Sequence, residues 1–174
     1  EDAHLSAGGI EQCCKAAEEY GDVLSGVPLV VVSIMNRCMQ TAQQCFPGLV
    51  NKEGVKWMAN EDCREQTGNH PCDRRVNTTK YREAFPHMDF SDIAAEEDPL
   101  YWKYGNEVRE PDDACFDRCK VFLEWVSKRP EKEIIVCTHS AILGVLIPRL
   151  CLKDTFRGFR NCELRSYILS SNDM

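Results

Sequence analysis

The sequence lacks any apolar run long enough to cross a membrane. Its longest apolar runs, GVPLVVVSIM and AILGVLIP, fall well short of the roughly 20 residues that a membrane-spanning helix requires. The first residues, EDAHLSAGG, contain neither the basic start nor the apolar stretch of a secretory signal. We therefore expect no membrane partner, and export has no support in the sequence.

The sequence also lacks an excess of basic residues. Its 21 Lys and Arg residues are outnumbered by 28 Asp and Glu residues, so the formal net charge is -7. Sequence-independent binding of nucleic acid requires Lys and Arg side chains that displace phosphate counterions. The charge balance excludes sequence-independent binding of nucleic acid. We expect the basic residues to act at individual sites.

No internal repeat, low-complexity segment or interdomain linker interrupts the 174 residues. A chain of this length is typical of one domain around a single core. Apolar residues make up 43% and charged residues 28% of the sequence, as in a packed globular protein. We predict one domain over residues 1–174 with one active site.

A regular disulfide framework is missing, although the sequence contains eleven cysteines. The count is odd and the intervals are irregular, which is not the pattern of a secreted disulfide scaffold. Cys38, Cys137 and Cys151 each stand where a small buried apolar residue is expected. We predict reduced thiols and a cytoplasmic location.

Tight pairs of metal ligands are missing as well. A structural zinc site is an alternative, built from His70, Cys72, Cys115 and Cys119, but zinc sites usually present closely spaced pairs. We therefore predict no metal and no cofactor.

Helical and strand patterns alternate along the chain. The runs at 28–33 and 134–139 are apolar without alternation, which is typical of parallel strands covered on both faces. Ser33 is expected to cap the helix that follows the first run. The predicted helices are 9–20, 35–46, 78–85, 112–128 and 141–150, and the predicted strands are 28–33, 55–60, 134–139 and 161–170. This order predicts an α/β protein, specifically a three-layer α/β/α sandwich with a mostly parallel central sheet.

Three polar residues lie at or just beyond the ends of predicted strands: Arg37 and Glu65 follow strands, and His139 is the last residue of one. Ligands bind in the crevice beyond the carboxyl ends of such strands, and helix N-termini there favour anions. Arginine matches phosphate oxygens bidentately, and a carboxyl group at the rim can serve as a general acid. Taken singly, these residues have ordinary alternatives as a surface cation, a solvated carboxylate and a structural histidine. Together they predict a site for a phosphoryl group.

Several segments in succession resemble motifs of the histidine phosphatase superfamily. They are DAHLSAGGIEQ, VVSIMNRCMQTA, NEDCREQTGNHPCDRR, IIVCTHSAIL and NCELRS, and they are most similar to the phosphoglycerate mutase-like proteins of plants and fungi. The resemblance spans nearly the whole chain and implies the phosphoglycerate mutase-like fold. It also implies that Arg37 and His139 contact the transferred phosphoryl group, and that Glu65 donates the proton to the leaving group.

A basic segment beyond Glu65 is the candidate for the substrate side of this site. His70, Arg74 and Arg75 would complement an acidic metabolite there. The alternative is an exposed arginine pair that offsets neighbouring acids.

One motif of the resembled family is absent. Members begin with a strand that ends in an Arg-His pair, whose histidine becomes phosphorylated, and no such pair occurs in this sequence. The resemblance therefore implies that the strand and its nucleophile lie upstream of Glu1, so we expect the 174 residues alone to be inactive. The implied function is a phosphohydrolase that acts on a small phosphorylated metabolite or a phosphoprotein through a phosphohistidine intermediate. A mutase with the same site and a non-catalytic phosphate-binding module are the alternatives.

Overall fold

The computed structural model describes residues 1–68, 70–105, 107–150 and 157–170. Helices and strands alternate along these residues. The helices are α1 (Ala7–Tyr20), α2 (Asn36–Cys45), α3 (Thr78–Ala84), α4 (Pro99–Tyr104), α5 (Asp112–Ser127) and α6 (Ser140–Arg149). The strands are β1 (Leu29–Ser33), β2 (Lys56–Asn60) and β3 (Ile134–Cys137).

The three strands form one parallel sheet in the order β2-β1-β3. Leu29 at the start of β1 is in register with Lys56 on one side and Ile134 on the other. All five residues of β1 are buried, as its unbroken apolar sequence predicts for a central strand. The parallel α/β fold predicted from the sequence is confirmed.

The sheet is covered by helices on both faces. Val30 and Val32 pack into a core cluster with residues of α1 and α2. Leu29 and Val31 point to the opposite face, where they pack with residues of α5 and α6. These two cores separate the three layers of the predicted sandwich.

The ends of the helices follow local chemistry, with one difference from the prediction. The side chain of Ser6 caps α1 by accepting a hydrogen bond from the amide of Gly9 at 3.1 Å. The N-cap of α2 is Met35, which makes no side-chain capping bond. The prediction that Ser33 caps this helix is therefore wrong: Ser33 is the last residue of β1, and its hydroxyl is used elsewhere.

The predicted final strand is not formed. Residues 161–162 make a turn, and the segment that follows has no strand pairing within the described residues. Ile168 in this segment is 93% exposed. An alternating sequence becomes a strand only beside a complementary edge, and β1 is the one described strand with which β3 pairs. Val136 on β3 is correspondingly exposed.

The ten cysteines among the described residues are free thiols. Cys38 is buried on α2, and its Sγ atom lies 3.4 Å from that of Cys137 on β3. Cys151, the third predicted packing cysteine, lies outside the described residues. Across the described part of the chain, no helix combines the length and the apolar composition needed to cross a bilayer.

Candidate active site

The candidate site lies at the carboxyl edge of the parallel sheet. β1 ends at Ser33 and is followed by Arg37 in the first turn of α2. β3 ends at Cys137, and His139 is the N-cap of α6 two residues later. Because β1 and β3 are parallel neighbours, these two strand ends open onto the same crevice.

His139 is a buried histidine held against the end of β1. Its Nε2 atom lies 2.8 Å from Oγ of Ser33, which is itself fully buried. Burial lowers the pKa of His139 well below its ordinary value, and the positive charges of Arg37, Arg64 and Arg118 act in the same direction. The imidazole is therefore neutral at pH 7.

Arg37 is partly exposed and is oriented by the loop that follows β2. One terminal nitrogen, Nη1, donates to the carbonyl oxygen of Cys72 at 2.9 Å. The other, Nη2, donates to Oδ1 of Asp73 at 3.0 Å and forms an ion pair with it. A guanidinium group carries five N–H donors, so these two bonds leave donors available to a phosphoryl group.

Glu65 reaches the N-terminus of the helix that follows His139. Its Oε1 atom accepts a hydrogen bond from the amide of Ile142 in the first turn of α6, at 3.0 Å. The same oxygen accepts from the amide of Gln66 at 3.0 Å. A carboxylate is favoured at this position because the first amides of a helix have no partner within it. The structure thus brings Glu65 and His139 to one end of α6.

The loop carrying Glu65 is held by a buried arginine that the sequence analysis did not single out. Arg118 on α5 donates to the carbonyl oxygens of Asp62 and Arg64, at 2.6 and 2.9 Å. It also forms an ion pair with Glu110 at 2.8 Å. This contact ties the loop to α5 and so determines where Glu65 lies.

Gly68 allows the same loop to pack closely against the segment before α5. Its φ angle is +94°, in the left-handed region that favours glycine. A Cβ atom at this position would lie 2.2 Å from the carbonyl oxygen of Val108. The backbone requires glycine here because any side chain would collide with Val108.

A second buried arginine, Arg64, holds the loop residue that orients Arg37. Arg64 donates to both carboxylate oxygens of Asp98 at 2.8 Å, to Glu61 at 2.7 Å and to the carbonyl oxygen of Asp73 at 2.7 Å. Burial acts to raise the pKa of Asp98, but the hydrogen bonds and positive charge of Arg64, together with backbone amide donors, outweigh it and hold that pKa below its usual value. Arg64 thus fixes Asp73, the residue that orients Arg37.

Asp2 anchors the N-terminus of α2. Its Oδ1 atom accepts from the amide of Asn36 at 2.9 Å, and its Oδ2 atom accepts from the hydroxyl of Tyr81. Burial raises the pKa of Asp2. Its backbone has a φ angle of +37°, which is unusual for a residue other than glycine. The motif at the start of the chain therefore positions the helix that carries Arg37.

The predicted substrate-side residues lie in three different environments. His70 is exposed in the loop that precedes the short 3-10 turn Pro71–Asp73. Arg74 pairs with Glu1 at 2.8 Å, and its guanidinium group lies 4.1 Å from the centre of the Tyr101 ring.

Arg75, the third of these residues, lies inside the protein with 2% of its surface exposed. Its guanidinium group pairs with Glu61 and donates to the carbonyl oxygens of residues 95–97. These bonds hold two segments of loop together, and we assign Arg75 no contact with substrate. The interpretation of residues 74–75 as an exposed pair is likewise incorrect for this arginine.

The zinc alternative gains no support from the described residues. His70, Cys72, Cys115 and Cys119 are not among the groups whose ligand atoms lie close enough together to hold a metal. Cys115 and Cys119 are buried on α5, whereas His70 and Cys72 are exposed.

The sequence is similar to those of a known protein family. A family model described as the histidine phosphatase superfamily (branch 1) matches residues 1–170. Phosphoglycerate mutase-like protein 2 of Arabidopsis thaliana is 33% identical over 97% of this chain and 65% of its own length. Phosphoglycerate mutase-like protein 1 of the same plant is 37% identical over 90% of this chain and 55% of its own length. The chain therefore spans little more than half to about two thirds of these curated relatives.

The fold is similar to that of solved phosphatases. The ecdysone phosphate phosphatase of Bombix mori, solved in complex with tungstate, superimposes with a TM-score of 0.58. The match covers 98% of this chain and 62% of that chain at 19% sequence identity, so it supports the fold alone. The family match and the curated relatives confirm the resemblance inferred from the sequence motifs.

Proposed function

Because the chain belongs to the histidine phosphatase superfamily (branch 1), we propose that it forms the greater part of a phosphohydrolase that acts through a phosphohistidine intermediate. The observation that carries this proposal is the meeting of three groups at one sheet edge. His139 sits at the N-terminus of α6, Glu65 bonds to the first turn of that helix, and Arg37 is close enough to lower the pKa of His139.

The site suits the charge of a phosphoryl group. Burial and the positive charges of three arginines keep His139 neutral, and the same positive charges favour an anion that enters the crevice. The remaining donors of Arg37 and an N–H of His139 would bind the equatorial oxygens of the transferred group. Such contacts are most effective when they are aligned before the reaction and shielded from water.

Glu65 is the proposed proton donor. In the first step a nucleophilic histidine attacks phosphorus, the bond to the ester oxygen breaks, and Glu65 transfers its proton to the departing alcohol. In the second step the Glu65 carboxylate accepts a proton from water as the water oxygen attacks the phosphohistidine, which releases inorganic phosphate and regenerates the free histidine. The same carboxyl group thus serves as acid and then as base.

We propose that the nucleophile is supplied by a strand upstream of Glu1 that pairs with the outer edge of β3. Two features support this placement. Among the described residues β3 pairs only with β1, and Val136 presents an apolar side chain to solvent. The segment 163–169, whose sequence predicts a strand, also forms no strand within the described residues. One strand inserted between β3 and this segment could form backbone hydrogen bonds with both.

The proposed substrates are phosphate monoesters of small metabolites or of phosphoproteins. Arg74 and His70 lie in the loop next to Cys72 and Asp73, which contact Arg37, and so are placed to meet the substrate beyond its phosphoryl group. The free thiols of the described residues support a reducing, cytoplasmic location as part of the same proposal.

Kinetics of the complete protein with two leaving groups test this function. Wild-type enzyme should release inorganic phosphate from both p-nitrophenyl phosphate and an alkyl phosphate. Glu65→Gln should lose most turnover of the alkyl phosphate, whose leaving group needs a proton. With p-nitrophenyl phosphate the variant should release about one equivalent of nitrophenolate quickly and then stall, because hydrolysis of the phosphoenzyme still needs the base.

Two other results would indicate a function other than phosphate hydrolysis. Isomerisation of a phosphoglycerate without net phosphate release would identify a mutase. Binding of phosphate esters without turnover of any substrate would identify a non-catalytic module and contradict the proposal.

A further inference from the structure

Three cysteines that play no part in the crevice converge from separate elements. Cys13 lies in the middle of α1, Cys45 is the last residue of α2, and Cys162 lies in the turn near the end of the described chain. Their Sγ atoms all lie within 4.8 Å of one another, and those of Cys13 and Cys162 are 3.7 Å apart. Their spacing along the sequence shows no metal-binding pattern, so only the fold brings them together.

Cys162 has an unusual backbone conformation. Its φ angle is +57°, in the left-handed region that is strained for a residue with a side chain. The preceding residue, Asn161, donates from Nδ2 to Oε1 of Gln12 on α1 at 3.2 Å. The turn is therefore fastened to α1 in a conformation that directs the third thiol toward the other two.

The sulfur spacing fits a single metal ion. Sulfur ligands held about 2.3 Å from one ion lie about 3.8 to 4.0 Å apart. The Cys13 and Cys162 sulfur atoms are 3.7 Å apart, and all three pairs lie within 4.8 Å. Clustered thiolates select soft, thiophilic ions such as Cu(I) and Zn(II) over Mg(II) or Ca(II). We propose that Cys13, Cys45 and Cys162 form a binding site for one thiophilic ion, Cu(I) or Zn(II).

The number of ligands distinguishes the two ions. Within the described residues, no fourth Cys, His, Asp or Glu belongs to the group, and three sulfur ligands alone suit Cu(I). Zinc normally takes four ligands, so Zn(II) would need a solvent molecule in the fourth position.

A cavity beside the cluster provides both the approach and room for such a solvent molecule. It has a volume of about 590 Å³ and is lined by α1 and by residues 159–163, including Cys162. The ion would therefore enter past Cys162, while Cys13 and Cys45 lie in the core.

Metal binding at this site would release protons and place negative charge on the three sulfur atoms. Binding releases one proton from each of the three thiols as the metal–sulfur bonds form. Because the thiols must lose these protons, the affinity should increase with pH. Lys15 and Arg160 line the cavity and can offset the negative charge of the thiolates, although Glu19 and Glu163 line it too.

Metal titration of the complete, reduced protein tests the site. Metal-free protein is titrated without oxygen, with Cu(I) delivered from a chelating buffer and, separately, with Zn(II). Bound metal is counted by elemental analysis after desalting, and thiolate-to-metal absorption is recorded. We expect one ion per chain, with at least a tenfold loss of affinity in Cys162→Ser and in Cys13→Ser.

The control variant is Cys14→Ser, which removes the exposed thiol adjacent to Cys13 on α1 and should bind metal like the wild type. Circular dichroism identifies any variant that fails to fold, and Cys162→Ser, at the least buried position, should remain folded. Retention of Cu(I) alone supports a three-sulfur site, and retention of Zn(II) supports a site completed by solvent. No retained ion, or equal retention by wild type and Cys162→Ser, contradicts the proposal. Phosphatase turnover is a separate readout, since none of these thiols lies in the crevice.

Discussion

The Nε2 atom of His139 lies 2.8 Å from the hydroxyl oxygen of Ser33, a residue 106 positions earlier in the chain. This bond joins the carboxyl ends of β3 and β1 and fixes the imidazole ring at the mouth of the crevice. A rigid buried histidine beside Arg37 is well suited to contact an anion, because little reorganisation is needed when the anion arrives.

Arg37→Ala should lower kcat/KM of the complete protein about a hundredfold, equivalent to about 3 kcal/mol of transition-state stabilisation. Arg37→Lys should recover only part of this loss, because an ammonium group keeps the charge but not the planar fork. The exposed Arg82→Ala on α3 is the matched control and should retain wild-type kinetics. Turnover at the wild-type level in Arg37→Ala would remove this residue from the site.

Arg37→Ala should also lower the free energy of unfolding, by about 1 to 3 kcal/mol. Arg37 is partly exposed, but its partner Asp73 is buried, so the variant leaves that carboxylate without its charged partner. Urea denaturation of the same preparation shows whether a lower kcat/KM of the variant results from unfolding.

His139 should make the protein less stable in mild acid. Its folded pKa is lowered well below that of the unfolded chain, which is about 6.5, so the unfolded state binds one more proton between the two values. The free energy of unfolding should therefore fall by up to about 1.4 kcal/mol per pH unit below about pH 6.5.

His139→Asn should lose this part of the pH dependence when denaturation midpoints are compared across that range. Burial lowers the pKa of His87 less far, so His87→Asn should reduce the slope less. Equal slopes in wild type and His139→Asn would show that His139 titrates normally in the folded protein.

Removal of the Arg64 side chain should strongly destabilise the fold. Arg64 is fully buried, and its loss leaves the carboxylate of Asp98 buried without its main partner. Arg64→Met should lower the free energy of unfolding by about 3 to 5 kcal/mol. Lys15→Met removes an exposed ion pair on α1 and should change it by less than about 0.5 kcal/mol. Similar values for the two variants would contradict the structural role of Arg64.

The proposed upstream nucleophile predicts a covalent intermediate. Complete protein quenched during turnover of a radiolabelled phosphate ester should carry label on a histidine upstream of Glu1, in a form that is lost in acid and stable in base. The 174-residue chain should take up no label and show no turnover. Label on His139, or on a serine or cysteine of residues 1–174, would show that the nucleophile has been misplaced.

Much of this architecture could be predicted from sequence because it rests on local patterns. The unbroken run at 28–33 predicts a strand buried on both faces, and the observed strand is 29–33. The apolar spacing predicts a helix at 112–128, which ends one residue beyond the observed α5. The order of helices and strands also predicts that Arg37 and His139 lie at one sheet edge.

What could not be predicted depends on partners distant in sequence. Ser33 has the chemistry of a helix cap, yet its hydroxyl bonds to His139 because parallel pairing brings the two strand ends together. The polar sequence around Arg75 is typical of an exposed cation. In the structure, carboxyl and carbonyl groups from two other segments surround its guanidinium group. The segment 161–170 has the alternation of a strand, and no neighbouring edge is present to pair with it in the described residues.

The most direct test of the central claim is a crystal structure of the complete protein with vanadate, which mimics the transferred phosphoryl group. We predict that the anion lies at the carboxyl edge of β1 and β3, with its oxygens hydrogen-bonded to the guanidinium of Arg37 and the imidazole of His139, and with Glu65 facing the leaving-group side. Vanadate bound at another place, or a crevice in which Arg37 and His139 contact no anion at saturating vanadate, would contradict the account.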